Sequence, residues 1–159
     1  MGLLKGRMED YSSPLAALPV RLFCGYFFLR YGLEKATGGF GGAALRRTLD
    51  EWAAGTPYAF YQPFLLHVAM PYSSVFASLV TVGEIVVGVT LLLGIATRLG
   101  SLLGLFLCLN FMSAMGTPLL SVEQPIFFAI MLLTVYASAA GRALGFDQIL
   151  KGRLPRWAA

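Results

Sequence analysis

One acid, Glu84, stands within the apolar run from Gly83 to Arg98. If this run belongs to a helix that crosses a membrane, Glu84 lies about 15 Å deep, near the centre of a core of about 30 Å. A charge at that depth costs at least about 2.5–3.5 kcal/mol even on lenient insertion scales. We therefore expect Glu84 to have either a charged partner or a function.

Other polar side chains are predicted to reach a similar depth. Asn110 does so because its apolar run returns through the membrane in the opposite direction. Arg30 lies in the outer third of the first apolar run, and helical side chains lean toward the N-terminus of their own helix. Arg30 and Glu84 are therefore predicted to converge and pair. Arg21 falls on the other side of the same helix, where we expect it to snorkel or to cap the inner end.

Two interpretations of this cluster remain open, with Glu34 and Lys35 completing it at the outer end of the first run. In the first, which is slightly favoured, an ion pair and an amide lock the helices together. In the second, a polar pocket at mid-depth opens toward the outer leaflet and binds a quinone headgroup or passes protons.

Composition places the chain among membrane proteins. Of its 159 residues, 57% are hydrophobic and 13% charged, and the mean hydropathy is +0.72. The net charge of +4 is spread near predicted helix ends, which suits anionic lipid and not nucleic acid. Cys24 and Cys108 form no CxxC or metal spacing, and are expected to be buried free thiols. No metal site or covalent cofactor is predicted.

The hydrophobic pattern predicts a single all-α membrane domain over residues 1–159. Its four transmembrane helices span about residues 16–34, 74–96, 99–116 and 126–140. Only Thr97 and Arg98 separate the second and third spans, which predicts an antiparallel hairpin. A cleaved signal peptide is disfavoured, because Arg30 and Glu34 interrupt the region where a cleavage site would lie.

Amphipathic segments are predicted at both surfaces. Residues 43–54 form a helix with Leu45, Leu49 and Trp52 on one stripe, and residues 58–69 are too short to span, so 36–72 should form a helical cap on the outer face. His67 is expected to be a surface or packed histidine, with proton transfer or pigment ligation as the alternative. The tail 142–157 is predicted to lie along the inner surface or on a partner.

The distribution of basic residues predicts the orientation. Lys5, Arg7, Arg98 and the tail residues all fall on one side of a four-span topology. Acids offset Arg46 and Arg47 on the other side, and the loop 117–125 holds no Lys or Arg. Both termini are therefore predicted to lie in the cytoplasm.

Several segments together resemble the DoxX/DoxD family of small four-helix membrane proteins. They are RLFCGYFFLRYGLEKATGGF, PYAFYQPFLLHVAMP, GEIVVGVTLLLGIATR and Leu109-Asn110-Phe111, and the resemblance covers about residues 20–140. It implies a redox-linked membrane subunit, with Arg21, Lys35, Glu84 and Arg98 at positions of the family pattern. The family is named after the membrane subunit of an archaeal thiosulfate:quinone oxidoreductase. The chain is shorter than that subunit, which argues against thiosulfate oxidation. It also lacks the CxxC of the quinone-linked thiol-oxidising four-helix proteins, which argues against thiol oxidation.

The resemblance implies a subunit of the bacterial inner membrane that works beside a quinone-linked redox complex and contributes a quinone or lipid site and no redox centre. A non-catalytic scaffolding subunit of a larger membrane assembly is the first alternative, and a small transporter or proton pathway is the second. In each case an auxiliary role is favoured over a self-sufficient enzyme. The expected partners are membrane lipids and other membrane subunits, and a quinone, lipid or pigment would be supplied by the complex.

Overall fold

This computed structural model describes residues 14–56, 58–115 and 123–149, and every regular element in these ranges is helical. The elements are α1 (Leu18–Thr37), α2 (Gly42–Gly55), α3 (Gln62–Phe64) with a π-helical turn (Leu65–Ala69), α4 (Ser73–Leu93), α5 (Thr97–Ala114), α6 (Glu123–Ser138), a 3₁₀ turn (Ala140–Arg142) and α7 (Phe146–Ile149).

The four long helices form a closed ring in which α1 packs on α4, α4 on α5, α5 on α6 and α6 on α1. Their shared core is apolar and includes the fully buried Cys24, Val87, Leu91 and Leu132. Cys24 and Cys108 are both free and buried, as predicted. The core therefore offers little beyond packing, and any chemistry must lie toward the ends of the bundle.

Two glycines allow α1 and α4 to approach closely. A Cβ added to Gly25 would lie 2.9 Å from the main-chain nitrogen of Leu92, and one added to Gly32 would lie 2.9 Å from that of Ile85. Small residues at such contacts let helix backbones meet directly. The contact fixes which face of α1 is turned toward α4.

Two helices, α4 and α5, are long and apolar enough to cross a membrane. The predicted number of four long helices is thus observed. Only two of them, among the described residues, are long and apolar enough to be recognised as membrane spans on their own. Each predicted span corresponds to one observed helix, although the bounds differ by a few residues. The first helix continues past Glu34 to Thr37, because Gly38 and Gly39 are the first residues that interrupt it.

The hairpin turn lies earlier than predicted. Helix α4 ends at Leu93 because Gly94 adopts a left-handed conformation with φ of 65°. Helix α5 then begins at Thr97, so the turn is Gly94–Ala96 and Thr97-Arg98 already belongs to α5. We call this end of the bundle the hairpin end.

The segment between α1 and α4 forms a helical cap over the opposite end, as predicted. The cap comprises residues 42–69, and its apolar stripe Leu45, Leu49 and Ala53 is buried against Leu65 and Ala114. Trp52 packs against the same cluster from a partly exposed position. We call this end of the bundle the cap end.

The C-terminal segment is described only as far as residue 149. It forms a 3₁₀ turn and the four-residue helix α7, and Leu144 and Ile149 are largely exposed. The remainder of the predicted amphipathic tail, with Lys151, Arg153 and Arg156, lies outside the described residues, as do Lys5, Arg7 and the loop 117–122.

Candidate functional site

Glu84 faces the interior of the bundle, as predicted, and is only 3% exposed. Its partner is Lys35, whose Nζ donates hydrogen bonds to Oε1 at 2.6 Å and to Oε2 at 2.5 Å. The Lys35 side chain is itself 25% exposed, so it reaches the carboxylate from the cap end. Lys35 thus balances the charge of the buried acid by contacting both of its carboxylate oxygens.

The predicted Glu84–Arg30 pair is wrong, and the rotation of α1 explains why. Gly25, Gly32 and Lys35 share one helical face, at spacings of seven and three residues, and all three contact α4. Arg30 precedes Gly32 by two residues and therefore points about 200° away from that face. Depth and the lean of the side chain are compatible with either Arg30 or Lys35 as the partner of Glu84. The face of α1 on which each residue lies decides for Lys35.

Arg30 instead pairs along its own helix with Glu34. Its Nε lies 2.7 Å from Glu34 Oε1, and the two side chains are 51% and 55% exposed. This i,i+4 arrangement is the local pair that helical geometry offers. The candidate cluster is thus divided into a partly buried pair that joins α1 to α4 and an exposed pair on the outward face of α1.

Aromatic rings enclose the ammonium group of Lys35. Its Nζ lies 6.0 Å from the ring centroid of Tyr31, 5.7 Å from that of Phe40 and 6.0 Å from that of Phe111. Such rings attract a cation through their negative faces, most strongly where water is scarce. The rings and the carboxylate together hold Lys35 among α1, α4, α5 and the short segment that precedes the cap.

Asn110 belongs to neither ion pair. Its Oδ1 accepts a hydrogen bond of 2.8 Å from the hydroxyl of Tyr61, and its Nδ2 donates one of 2.8 Å to the main-chain oxygen of Phe106. Tyr61 lies in the cap, where burial raises its pKa. The hydroxyl therefore stays protonated at neutral pH, and the pair joins the cap to α5.

A cavity of about 340 Å³ lies between the cap and the halves of α4 and α5 nearest the cap end. Its walls are apolar and aromatic, with Tyr61 and Asn110 among the few polar groups that line it. Gly83 forms part of the wall but Glu84 does not, since successive helical residues point about 100° apart. This cavity is therefore mainly apolar and separate from Glu84, so it differs from the polar pocket around Glu84 that the sequence suggested.

A family model for DoxX matches residues 16–117 of the chain. The chain belongs to the DoxX family. No curated protein and no solved structure matches it. The matched residues include α1, the cap, α4 and α5, so both the ion pair and the cavity of this DoxX chain lie within the part that defines the family.

The hairpin end of the DoxX chain contains a second set of buried charges. Arg21 Nη1 donates to the main-chain oxygens of Ala140 at 2.8 Å and Ala143 at 2.9 Å. Of the two roles predicted for Arg21, capping this end of the bundle agrees with these contacts. Snorkelling does not, because Arg21 is only 1% exposed. Asp147 accepts from the nitrogens of Ala96 at 2.7 Å and Thr97 at 3.0 Å.

The remaining predicted residues of this DoxX chain occupy separate places. His67 is exposed on the π-helical turn, which agrees with the surface interpretation. Arg98 stacks its guanidinium 5.6 Å from the ring centroid of Tyr136 at the hairpin end. Trp52 lines the cavity. Within the described residues no group of three His, Cys, Asp or Glu side chains could hold a metal ion.

Two residues of evident structural importance were not singled out from the sequence. Tyr61 is one of several aromatic residues in its segment, and its partner Asn110 is 49 residues away. Asp147 stands in an apolar stretch, which is a signal of a buried acid, but its contacts with Ala96 and Thr97 span 51 and 50 residues. Sequence spacing gives no indication of either pairing.

Proposed function

We propose that this DoxX protein is a four-span subunit of the bacterial cytoplasmic membrane that binds a quinone in the cavity beneath its cap and serves a quinone-linked redox complex. The observation behind this proposal is the cavity itself. Its volume of about 340 Å³ falls within the range of about 300–1,000 Å³ typical of small-molecule sites. Mostly apolar walls with a few convergent polar groups are also typical of such sites.

The polar groups of the cavity suit a quinone ring. Asn110 Nδ2 uses one of its two hydrogens on Phe106, which leaves the second for a quinone carbonyl. Tyr61 donates its hydrogen to Asn110, and the lone pairs of its oxygen can accept from a quinol hydroxyl. The aromatic side chains Trp52, Phe64 and Phe106 provide flat apolar contacts for the ring.

In this proposal the residues bind and orient, and the quinone itself supplies the two-electron redox chemistry. The cap would cover one side of the ring with apolar side chains, since Leu45, Leu49 and Leu65 line the cavity. The Lys35–Glu84 pair lies behind the wall formed by Gly83 and Phe111. There it holds α1 against α4 and so supports the cavity without contacting the ligand.

The proposed orientation has the cap outside and the hairpin end in the cytoplasm. Arg21, Arg98 and Arg142 all lie toward the hairpin end, whereas on the cap helix α2 the two arginines are matched by Asp50 and Glu51. An excess of basic residues on the cytoplasmic side is the usual rule. Helices α1 and α6 would then complete the four spans by packing on α4 and α5.

The proposal is tested by isolating the protein from bacterial membranes in mild detergent and extracting its bound lipids for mass spectrometry. We expect quinone close to one molecule per chain. A Val80→Phe variant, which fills the cavity, should lose it, whereas Val86→Phe on the exposed face of the same helix should retain it. Equal quinone content in both variants, or none in the wild type, would favour the scaffolding alternative.

A further inference from the structure

The outward face of α1 has an unusual pattern of exposed side chains. Phe23, Tyr26, Arg30, Leu33 and Thr37 are all exposed, and they follow one another at spacings of three and four residues. This spacing is that of the contact positions in a pair of packed helices. We call these five residues the α1 seam.

Charge distinguishes the seam from the outward faces of the other long helices. On α4, α5 and the described side chains of α6, no exposed residue is charged. Their outward faces consist mainly of residues such as Val82, Leu102 and Ile130, which suit acyl chains. The outward face of α1 holds both members of the Arg30–Glu34 pair.

The Arg30–Glu34 pair also has unused hydrogen-bonding capacity. Arg30 bonds to Glu34 only through Nε, and Glu34 accepts only through Oε1, within the part of the chain that the structure describes. Both Nη groups and the second carboxylate oxygen are therefore available to a neighbour. A groove lined by Tyr26, Leu29, Leu33 and Thr37 runs beside the pair and can receive a side chain from another helix.

We propose that the α1 seam is the interface of a two-fold symmetric homodimer of this chain. Two copies in one membrane have the same orientation, so a two-fold axis along the membrane normal places their seams side by side. In such an interface each residue and its contact occur twice. Arg30 of each copy then donates to Glu34 of the partner subunit, and four charges form a neutral, mutually bonded ring.

A second copy fits this face better than lipid does. Acyl chains offer no acceptors for the arginine, and a single anionic headgroup would repel Glu34. A copy of the same helix presents one acid and one base at matching depth. It also places a second Tyr26 and Leu33, the residues that line the groove, against the groove of the first copy. The inference depends on the proposed membrane placement of α1 and is independent of the quinone.

The interface is tested with full-length chains bearing two different affinity tags, co-reconstituted in lipid nanodiscs large enough for two copies. Wild-type chains should co-isolate. The Arg30→Glu variant has two acids per copy and the Glu34→Arg variant two bases, so each alone should lose co-isolation at least about tenfold. Mixing the two variants should restore it, because opposite charges then meet across the axis.

Monomeric wild-type chains, or single variants that associate as well as the wild type, would overturn the dimer. A monomeric chain that carries bound anionic lipid would also overturn the dimer and would show that lipid covers the α1 seam. Disulfide formation in membranes gives a second measurement that does not depend on charge. Tyr26→Cys should cross-link between copies under mild oxidation, whereas Leu79→Cys on the exposed face of α4 should not.

The Tyr26→Cys variant also distinguishes failure of the proposed four-span topology from failure of the dimer alone. If a water-soluble maleimide labels Tyr26→Cys readily, α1 is not in the membrane, and the proposed four-span topology fails together with the dimer. If the cysteine is neither labelled nor cross-linked, α1 is buried in lipid and the dimer alone is wrong.

Discussion

The two ends of the bundle use buried polar groups in different ways. At the hairpin end, Arg21 and Asp147 bond to main-chain groups of segments that are distant in sequence. At the cap end, polar side chains bond to one another, as in the Tyr61–Asn110 pair, and a cavity of about 340 Å³ lies beside them. The difference indicates that the hairpin end stabilises the fold, whereas the cap end leaves space and hydrogen-bonding capacity for a ligand.

The largest expected effect is at the hairpin end. Asp147→Ala removes the acceptor of two main-chain N–H groups. It also removes the carboxylate whose charge acts on Arg21. We expect the free energy of unfolding to fall by about 3–5 kcal/mol, because hydrogen bonds to a buried charge are each worth about 1.5–3 kcal/mol. Unfolding of the purified protein in bicelles measures this loss.

Asp50→Ala, at an exposed position on α2, is the matched control for this change. It should alter stability by less than about 0.5 kcal/mol, as substitutions on open surface usually do. A similar loss in both variants would mean that Asp147 is not a structural anchor. A normal fold with lost quinone binding in Asp147→Ala would reverse the roles assigned to the two ends.

A smaller effect is expected from Glu84→Gln, which breaks the pair with Lys35. Removing one partner of a fully buried pair costs about 3–5 kcal/mol. Because Lys35 is a quarter exposed, we expect about 2–4 kcal/mol. Quinone binding per folded molecule should persist, since Glu84 does not line the cavity.

The same change at an exposed acid, Glu51→Gln on α2, provides the control and should leave stability nearly unchanged. Unfolding and quinone binding are measured on one preparation of each variant. Loss of quinone binding by Glu84→Gln with full stability would instead assign the ligand site to the acid, and the account of the cap end would be wrong.

The elements of the fold could be predicted from sequence because their signals are local. The apolar runs located all four long helices, and the stripe Leu45, Leu49 and Trp52 located α2. The end of α1 was placed too early because Glu34 and Lys35 look like a membrane boundary. They are helical because Gly38 and Gly39 come only afterwards.

The partners of the site residues could not be predicted in the same way, because they depend on how the helices are rotated. Close contact at Gly25 and Gly32 turns Lys35 toward Glu84 and Arg30 away from it. The burial of Glu84 follows from its own chemistry and was predicted. The Tyr61–Asn110 pair and the cavity arise from how the cap sits on α4 and α5, which no spacing in the sequence encodes.

Trp52 allows the most direct test of the claim that the cavity binds a quinone. The chain has two tryptophans, so Trp157→Phe leaves Trp52, in the cavity wall, as the only reporter. Titration with a short-chain benzoquinone in nanodiscs should quench its fluorescence saturably. Val80→Phe should weaken binding at least about tenfold, or about 1.4 kcal/mol, and Val86→Phe should not. Quenching that rises without saturation, and equally in both variants, would contradict the account.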